Sequence, residues 1–376
     1  MTKTYTAEQL KEEMENKKKK FERALREGGV ARCWQEFEEE KYEWKSQKVN
    51  LAIAGRSGTG KSSFINAIVK KWTGTCPAEV GVTETTMECV GYEHPNNPKI
   101  ILLNLPGVCT EKFPQESYLQ QVNADMFDVC IIMTTDRFTE QDAWLGKEMQ
   151  KRNIPVVFVR TKIRSDVKNS KHDYPLKDEK TVLKQVKEDI IDKSAKFTGP
   201  FGVFLIDNHR TDLYEFSDLE KCITEKLPDL KSQAVVFSIS SLSRDVLKLK
   251  VSMLRNHIWR AGLGSFVLGL VPTLSGFTEE TIVRSRASFY VEQLGLDVKS
   301  LELRAINPTK LNSVKCKVDE VIADIPSITK RPRVARFFQV FPLVGGAISA
   351  EVVSHSLEEI LDRLEAIALE AIDAIN

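Results

Sequence analysis

A phosphate-binding loop constrains this chain more than any other feature of its sequence. Residues 55–62 read GRSGTGKS, which fits the pattern GxxxxGK followed by Ser or Thr without a mismatch. The apolar run Val49–Ala54 precedes the loop, and the helical pattern Ser63–Lys71 follows it. Because a strand and a helix flank the motif, a nucleotide-binding loop is favoured over a chance glycine-rich turn.

The loop residues suit a polyphosphate and its metal ion. Glycines let backbone N–H groups converge on phosphate oxygens. The ammonium of Lys61 can reach the outer phosphates, and the hydroxyl of Ser62 can bind Mg²⁺. The residues predicted to bind the nucleotide here are Gly55, Ser57, Gly58, Thr59, Gly60, Lys61, Ser62 and Ser63.

Length and composition limit the number of domains, the kinds of partner and the cellular compartment that can be expected. A chain of 376 residues is expected to form two domains. The 54 basic and 53 acidic residues nearly balance, so nucleic acid is not predicted as a main partner. Seven cysteines without a CxxC pair indicate a reducing compartment, and the five dispersed histidines give no zinc pattern. The charged N-terminus lacks a signal-peptide core and begins Met1-Thr2, which is no myristoylation signal, so a cytoplasmic location is expected.

The central region, residues 48–230, predicts a doubly wound α/β domain with a mostly parallel sheet. Short apolar runs alternate there with longer helical patterns. The predicted strands are Val49–Ala54, Ile100–Leu103, Val129–Met133, Val156–Val159 and Val203–Ile206. The predicted helices are Ser63–Lys71, Asp142–Lys151, Lys180–Lys193 and Asp218–Glu225. Ligands of such a sheet lie beyond the carboxyl ends of its strands, where the phosphate loop falls.

The flanking segments, residues 1–47 and 231–376, predict helices without further strands. The basic run Lys17–Lys20 is interpreted as a solvated face in preference to a membrane patch. The apolar runs Ala261–Phe277 and Phe337–Ala350 are short and interrupted by glycine, which argues against a transmembrane span. A buried helical hairpin is favoured there over a hairpin that inserts into a membrane interface.

Two further segments supply the metal-side parts that a GTPase needs. Thr85 and Thr86 are candidate switch residues that sense the γ-phosphate, and both can join Ser62 as Mg²⁺ ligands. A DxxG turn is represented by residues 104–107, which read NLPG, so that Asn104 replaces the aspartate while Gly107 is retained. Since asparagine carries no charge, we expect a lower affinity for Mg²⁺.

The base-reading motif departs from its pattern at one position. Residues 161–164 read TKIR where a guanine reader has TKxD. Thr161 and Lys162 are retained, but Arg164 has only donors and cannot accept from N1–H and N2–H of guanine. Asp166 can substitute after a loop shift, and Asn208 falls in the last base-contacting loop.

Together these segments resemble the immunity-related GTPases, an interferon-inducible, dynamin-like vertebrate family. The resemblance rests on GRSGTGKSSFINAI, GVTETTMECVGYEHP, LNLPGV and VFVRTKIRSDV, and it extends through HIWRAGLGSFVLGLVPTL and the N-terminal helices. It implies a Ras-like P-loop G domain beside an all-helical domain built from both chain ends. It also implies GTP/GDP and Mg²⁺ as ligands, nucleotide-dependent dimerisation through the nucleotide face, and action on membranes around intracellular pathogens.

The family pattern also bears on single residues. The intact GKS sequence, with Lys61 and Ser62, groups the chain with the lysine-bearing members. By the same resemblance Glu84 is a candidate for the hydrolytic step. Many relatives carry glutamate where this chain has Arg56, which is either an arginine finger acting across a dimer or, as the favoured interpretation, a solvated substitution.

Three functional hypotheses follow from the sequence. The first is a slow GTP hydrolase that is faster as a homodimer or oligomer and associates peripherally with vacuolar or other intracellular membranes in innate defence. The second is a catalytically impaired regulator that binds nucleotide and controls related GTPases, which Asn104 and Arg164 favour. The third and least favoured is an ATPase or an unselective nucleotide binder, because the base-reading acid is lost.

Overall fold

The computed structural model of this chain describes residues 7–73, 89–94, 96–108, 113–173, 178–198, 202–239, 244–269, 279–303, 308–330 and 342–374. The chain divides into two compact units. We call residues 44–239 the sheet unit, and residues 1–43 with 240–376 the helical unit. The domain ranges 1–47, 48–230 and 231–376 remain predictions, and the units change over four and nine residues away from those boundaries.

The sheet unit holds one six-stranded sheet. Its strands are β1 Val49–Ala54, β2 Val90–His94, β3 Asn97–Asn104, β4 Val129–Thr134, β5 Val156–Arg160 and β6 Gly202–Leu205. They lie in the order β2-β3-β1-β4-β5-β6, and all neighbours are parallel except β2 and β3. The predicted fold class is therefore confirmed, with an antiparallel edge strand that the apolar pattern did not indicate.

The helices account for most of the remaining described residues. They are α1 Ala7–Glu40, α2 Lys61–Thr73, α3 Gln115–Gln121, α4 Glu140–Lys151, α5 Ile163–Asp173, α6 Glu179–Thr198, α7 Phe216–Lys226, α8 Asp229–Ser238, α9 Arg244–Gly269, α10 Glu279–Gln293, α11 Val298–Leu303, α12 Pro308–Ala323, α13 Ile325–Ile328 and α14 Pro342–Asp373. Every residue of β4 and β5 is buried, as expected for parallel strands covered by helices on both faces.

The register of the parallel strands brings their carboxyl ends to one edge of the sheet. Ile53 of β1 lies beside Asn104 of β3, and Thr134 of β4 lies beside Arg160 of β5. The loops that follow β1, β3, β5 and β6 therefore leave the sheet on the same side, which is where a doubly wound fold binds its ligand.

Helix α1 is a hairpin of two helical halves. Non-helical backbone at Gly28 and Gly29 interrupts it, and Gly29 has a φ of 65°, which glycine adopts readily. The halves pack antiparallel, since Lys17 pairs with Glu40 at 2.7 Å and Lys20 pairs with Glu36 at 3.0 Å. The interpretation of the whole basic run as a solvated face is thus wrong for Lys17, whose side chain is only 11% exposed.

Helices α9 and α14 contain the described parts of the two apolar runs, residues 261–269 and 342–350. They pack closely where side chains are small: a Cβ on Gly262 would lie 2.4 Å from Oγ of Ser354. Oγ of Ser265 lies 2.6 Å from Oγ of Ser349 across the same contact. No helix in the described ranges combines the length and the apolar character needed to cross a bilayer. The rest of both runs lies outside the described residues.

Candidate nucleotide-binding site

The phosphate loop joins the buried end of β1 to the start of α2. Gly55 has a φ of 135°, and a Cβ there would lie 2.4 Å from the carbonyl oxygen of Met133, so only glycine fits. Gly60 has a φ of 86°, another conformation that side chains rarely adopt. Nζ of Lys61 donates to the carbonyls of Gly55 at 2.9 Å and Arg56 at 3.2 Å, and the residue is 7% exposed. The ammonium is thus held over the loop by bonds that a phosphate can replace.

Side chains from two other loops fasten the outside of the phosphate loop. Thr161 follows β5, and its Oγ1 donates to the carbonyl of Thr59 at 2.8 Å. Its neighbour Lys162 has a φ of 57° and donates to the carbonyl of Gly58 at 3.1 Å. Nδ2 of Asn208, which follows β6, donates to the carbonyl of Gly60 at 3.1 Å. A loop whose carbonyls are bonded outward can present its N–H groups inward, as an anion-binding nest requires.

Asn104 reaches the metal side of the loop. It ends β3, is 1% exposed, and its Nδ2 lies 3.1 Å from Oγ of Ser62. Leu105 and Pro106 are fixed beyond it, because the Leu105 N–H donates to Ile53 and the Tyr118 hydroxyl donates to Pro106. A hydroxyl beside a neutral amide fits a Mg²⁺ ion that takes most of its ligands from phosphate and water. The contact was not expected from the sequence, which gave only the position of Asn104 in the motif.

The predicted base-reading residues fall into two groups: Thr161, Lys162 and Asn208 bond to the phosphate loop, whereas Asp166 bonds to Arg160. Asp166 lies in the first turn of α5, where its Oδ2 accepts from Nε and Nη2 of Arg160 at 3.1 and 2.6 Å. Arg160 is 6% exposed at the end of β5, so the pair is anchored to the sheet. Arg164 is exposed on the same helix. The role of Arg160 was missed because a buried arginine at a strand end carries no motif signal.

The structure describes some of the remaining predicted site residues but not others. Glu84, Thr85 and Thr86 lie outside the described residues, so their assignments stay predictions. Gly107 is buried in the turn after β3, whereas Ser57 and Gly58 are exposed at the loop tip and Ser63 is in the first turn of α2.

Arg56 is half-buried, and its charge affects the pKa of the Asp142 carboxyl group. Burial raises the pKa of Asp142, while hydrogen bonds from Thr139 and the charge of Arg56 oppose that rise. Asp142 belongs to the capping box of α4 with Thr139, so Arg56 lies near the start of that helix. Both interpretations of Arg56, as an arginine finger and as a solvated substitution, stay predictions.

A glycine-rich loop between a buried parallel strand and a helix, with a lysine over it and polar loops around it, defines a P-loop nucleotide-binding protein. The chain belongs to the interferon-inducible GTPase (IIGP) family, whose sequence model matches residues 14–375. It is classed on that basis among the GTP hydrolases.

Known relatives span most of the chain. It is 30% identical to mouse (Mus musculus) "Interferon-inducible GTPase 1" over 319 residues, which cover 80% of this chain and 75% of the relative. It is 31% identical to mouse "T-cell-specific guanine nucleotide triphosphate-binding protein 2" over 267 residues, which cover 69% of this chain and 63% of the relative. The second alignment therefore reaches less than two thirds of that protein.

Solved structures are more distant. Toc33 from Arabidopsis thaliana, solved with GDP and Mg²⁺, is 13% identical with a TM-score of 0.35, and the match covers 48% of this chain and 79% of Toc33. A likeness of that size carries no functional argument.

Proposed function

We propose that this chain binds GTP with Mg²⁺ and hydrolyses it slowly, with turnover that rises when two copies associate through their nucleotide faces. The carrying observation is the fastened phosphate loop. Carbonyls at Gly58, Thr59 and Gly60 accept from three side chains of the base-contacting loops. Because these bonds hold the loop, its backbone N–H donors are already fixed before the nucleotide arrives. They need no reorganisation when charge develops on the phosphates.

The residues of the loop would share the work in a defined way. Lys61 would exchange its bonds to the carbonyls of Gly55 and Arg56 for bonds to phosphate oxygens. The hydroxyl of Ser62 would hold the metal ion, and Mg²⁺, when bound, supplies charge neutralisation between the outer phosphates. Asn104 would orient Ser62 through their 3.1 Å hydrogen bond. The slow rate follows, since Asn104 adds no negative charge that would hold the ion firmly.

The dimerisation part is tested by turnover at several protein concentrations. If a partner copy completes the site, GTP hydrolysed per molecule per minute increases with concentration and levels off at a dimer-saturated value. Sedimentation with GTPγS and with GDP should show association only with the triphosphate. A specific activity that stays constant over a hundredfold range of concentration would refute this part while leaving nucleotide binding intact.

A second candidate function is favoured by one contact. Because Asn104 has replaced the carboxylate beside Ser62, the chain can be a regulator that holds nucleotide without turning it over and controls related GTPases. GTPγS binding without measurable hydrolysis at any protein concentration would support this candidate. Burst hydrolysis of one GTP per chain would exclude it.

We also propose peripheral association with intracellular membranes in innate defence, for which the support is the family resemblance. Arg255, beside the first apolar run, contributes little free charge because it pairs with Asp362 at 2.6 Å and Glu365 at 3.3 Å. Flotation of the protein with phosphatidylserine-containing vesicles tests the proposal, with Arg255→Glu and Arg260→Glu as charge variants. Failure of the unmodified protein to float in any nucleotide state would contradict it.

A further inference from the structure

The predicted base-contacting loops differ in their hydrogen-bonding groups from those of a protein that reads guanine. In a guanine reader, a carboxylate at the position of Arg164 accepts from N1–H and N2–H of the base. Arg164 is exposed in the first turn of α5. Among the residues that the structure describes, none forms a hydrogen bond or an ion pair with it. Within the described residues its guanidinium donors are therefore not taken up by another group, although its charge acts on Tyr214.

Asp166 does not restore the missing acceptor. Its carboxylate is tied to Arg160 by hydrogen bonds of 3.1 and 2.6 Å at the end of β5. Residues two apart on an α-helix point about 200° away from one another. When Arg164 faces outward, Asp166 consequently faces the strand end, and a loop shift that turned it to the base would break its pair with Arg160.

The loop after β6 supplies an acceptor in its place. Nδ2 of Asn208 donates to the carbonyl of Gly60 at 3.1 Å, and this bond fixes which way the amide points. Its Oδ1 is buried and has no hydrogen-bond partner within the described part of the chain. A buried oxygen left in this way favours a ligand that brings an N–H group to it.

Adenine matches these two groups better than guanine does. Its edge presents an acceptor at N1 and an amino donor at C6, whereas guanine presents donors at N1 and N2 and an oxygen at C6. Arg164 can donate to N1 of adenine but opposes both donors of guanine. Asn208 Oδ1 can accept from the adenine amino group but opposes the guanine oxygen.

We propose that this site binds adenine nucleoside triphosphates with an affinity within tenfold of that for guanine nucleoside triphosphates, with Arg164 as the specificity-determining residue. The proposal rests on the proposed nucleotide-binding function and names the substrate class of the same site. Lys61 bonds to carbonyls of the phosphate loop and Ser62 contacts Asn104, so these two residues are not expected to distinguish the two bases.

Isothermal titration of the full chain with ATPγS and with GTPγS in Mg²⁺ tests the proposal directly. The expected result is a ratio of the two dissociation constants within about tenfold, or 1.4 kcal/mol. GTPγS bound more than tenfold tighter than ATPγS would overturn the proposal. If neither nucleotide binds, the proposed function itself fails and the base preference fails with it.

Substitutions on α5 separate base reading from a general charge effect. Arg164→Asp is expected to shift the ratio at least about tenfold toward GTPγS, because a carboxylate then faces N1–H and N2–H. Lys168→Asp is the matched control, since Lys168 is exposed on the same helix and the charge change is the same. Equal shifts in both variants would overturn the assignment. Asp166→Asn is expected to leave the ratio unchanged, and a loss of GTPγS affinity in that variant alone would show that Asp166 reads the base.

Discussion

Glu40→Gln is expected to destabilise the helical unit strongly. The carboxylate lies between two cations: Oε1 is 2.7 Å from Nζ of Lys17, and Oε2 is 3.8 Å from Nη2 of Arg286. Arg286 is 1% exposed and packs over the ring of Phe37 at 4.5 Å, so it has no route to solvent. Glutamine keeps the shape of the side chain, removes the charge and replaces one acceptor oxygen by an NH₂ donor.

The magnitude follows from the pKa of the carboxyl group. Burial opposes ionisation of Glu40, but the charges of Lys17 and Arg286 outweigh it and lower the pKa from 4.5 to about 2. That difference corresponds to about 3 kcal/mol of folding free energy at neutral pH. Burial also lowers the pKa of Lys17, so the ammonium gives back part of this gain. Removing the carboxylate leaves two buried cations without their counter-charge, and such losses amount to about 3–5 kcal/mol.

The pH dependence has a definite sign. Because the pKa of Glu40 is lower in the folded chain, its contribution is fully present above the unfolded value of 4.5 and is lost as the pH falls toward about 2. The stability difference between the unmodified chain and Glu40→Gln should therefore be constant from pH 7 to pH 6. It should shrink by about 1 kcal/mol at pH 4.

Urea unfolding followed by far-ultraviolet circular dichroism measures these differences, and binding of a fluorescent GTP analogue reports separately on the sheet unit. Glu27→Gln is the control, because its pair with Arg23 is exposed, and no measurable change is expected. Lys17→Met should cost less than Glu40→Gln, since Arg286 still faces the carboxylate. A loss below about 1 kcal/mol for Glu40→Gln, or equal losses in all three variants, would refute the reasoning.

Three further outcomes are expected. Lys61→Ala should abolish triphosphate binding in a calorimetric titration, and an unchanged affinity would remove the phosphate-loop assignment. Asn104→Asp should tighten Mg²⁺-dependent GTPγS binding or raise turnover, because a carboxylate then lies beside Ser62; no change in either would mean that residue 104 is not at the metal. Gly262→Val should lower the unfolding free energy by about 1–3 kcal/mol, because a Cβ there meets Ser354 at 2.4 Å; an unchanged urea midpoint would contradict the described packing of α9 on α14.

The strands could be predicted where burial leaves an unbroken apolar run. The bounds of β1, Val49–Ala54, were predicted without error because five of its six residues are buried and all but Asn50 are apolar. Strand β2 was missed since it lies at the sheet edge with most residues exposed, and Val90 is 39% exposed. Helix α5 was missed because its first turn continues directly from the polar base-reading motif.

The site could be predicted as a set of positions but not as a set of bonds. The motif gave Asn104 and Thr161, yet spacing alone does not show that one reaches Ser62 and the other reaches Thr59. The pair of Arg160 with Asp166 joins a strand end to a helix turn, and sequence patterns describe each element separately. Whether Asp166 can reach a base depends on the direction of its side chain. Sequence periodicity does not predict that direction.

The two departures from the GTPase pattern lie at different places in the candidate site, Asn104 at the end of β3 and Arg164 in the first turn of α5. Asn104 contacts Ser62, so under the proposed function it would affect Mg²⁺ affinity and turnover. The described bonds that fasten the loop come from Thr161, Lys162 and Asn208 and not from Arg164, so under our proposal Arg164 affects base preference and leaves phosphate binding unchanged. A chain can consequently keep the capacity to bind a triphosphate while its turnover and its base preference change independently. Under the proposed function, the changes at these two positions therefore do not predict a loss of nucleotide binding.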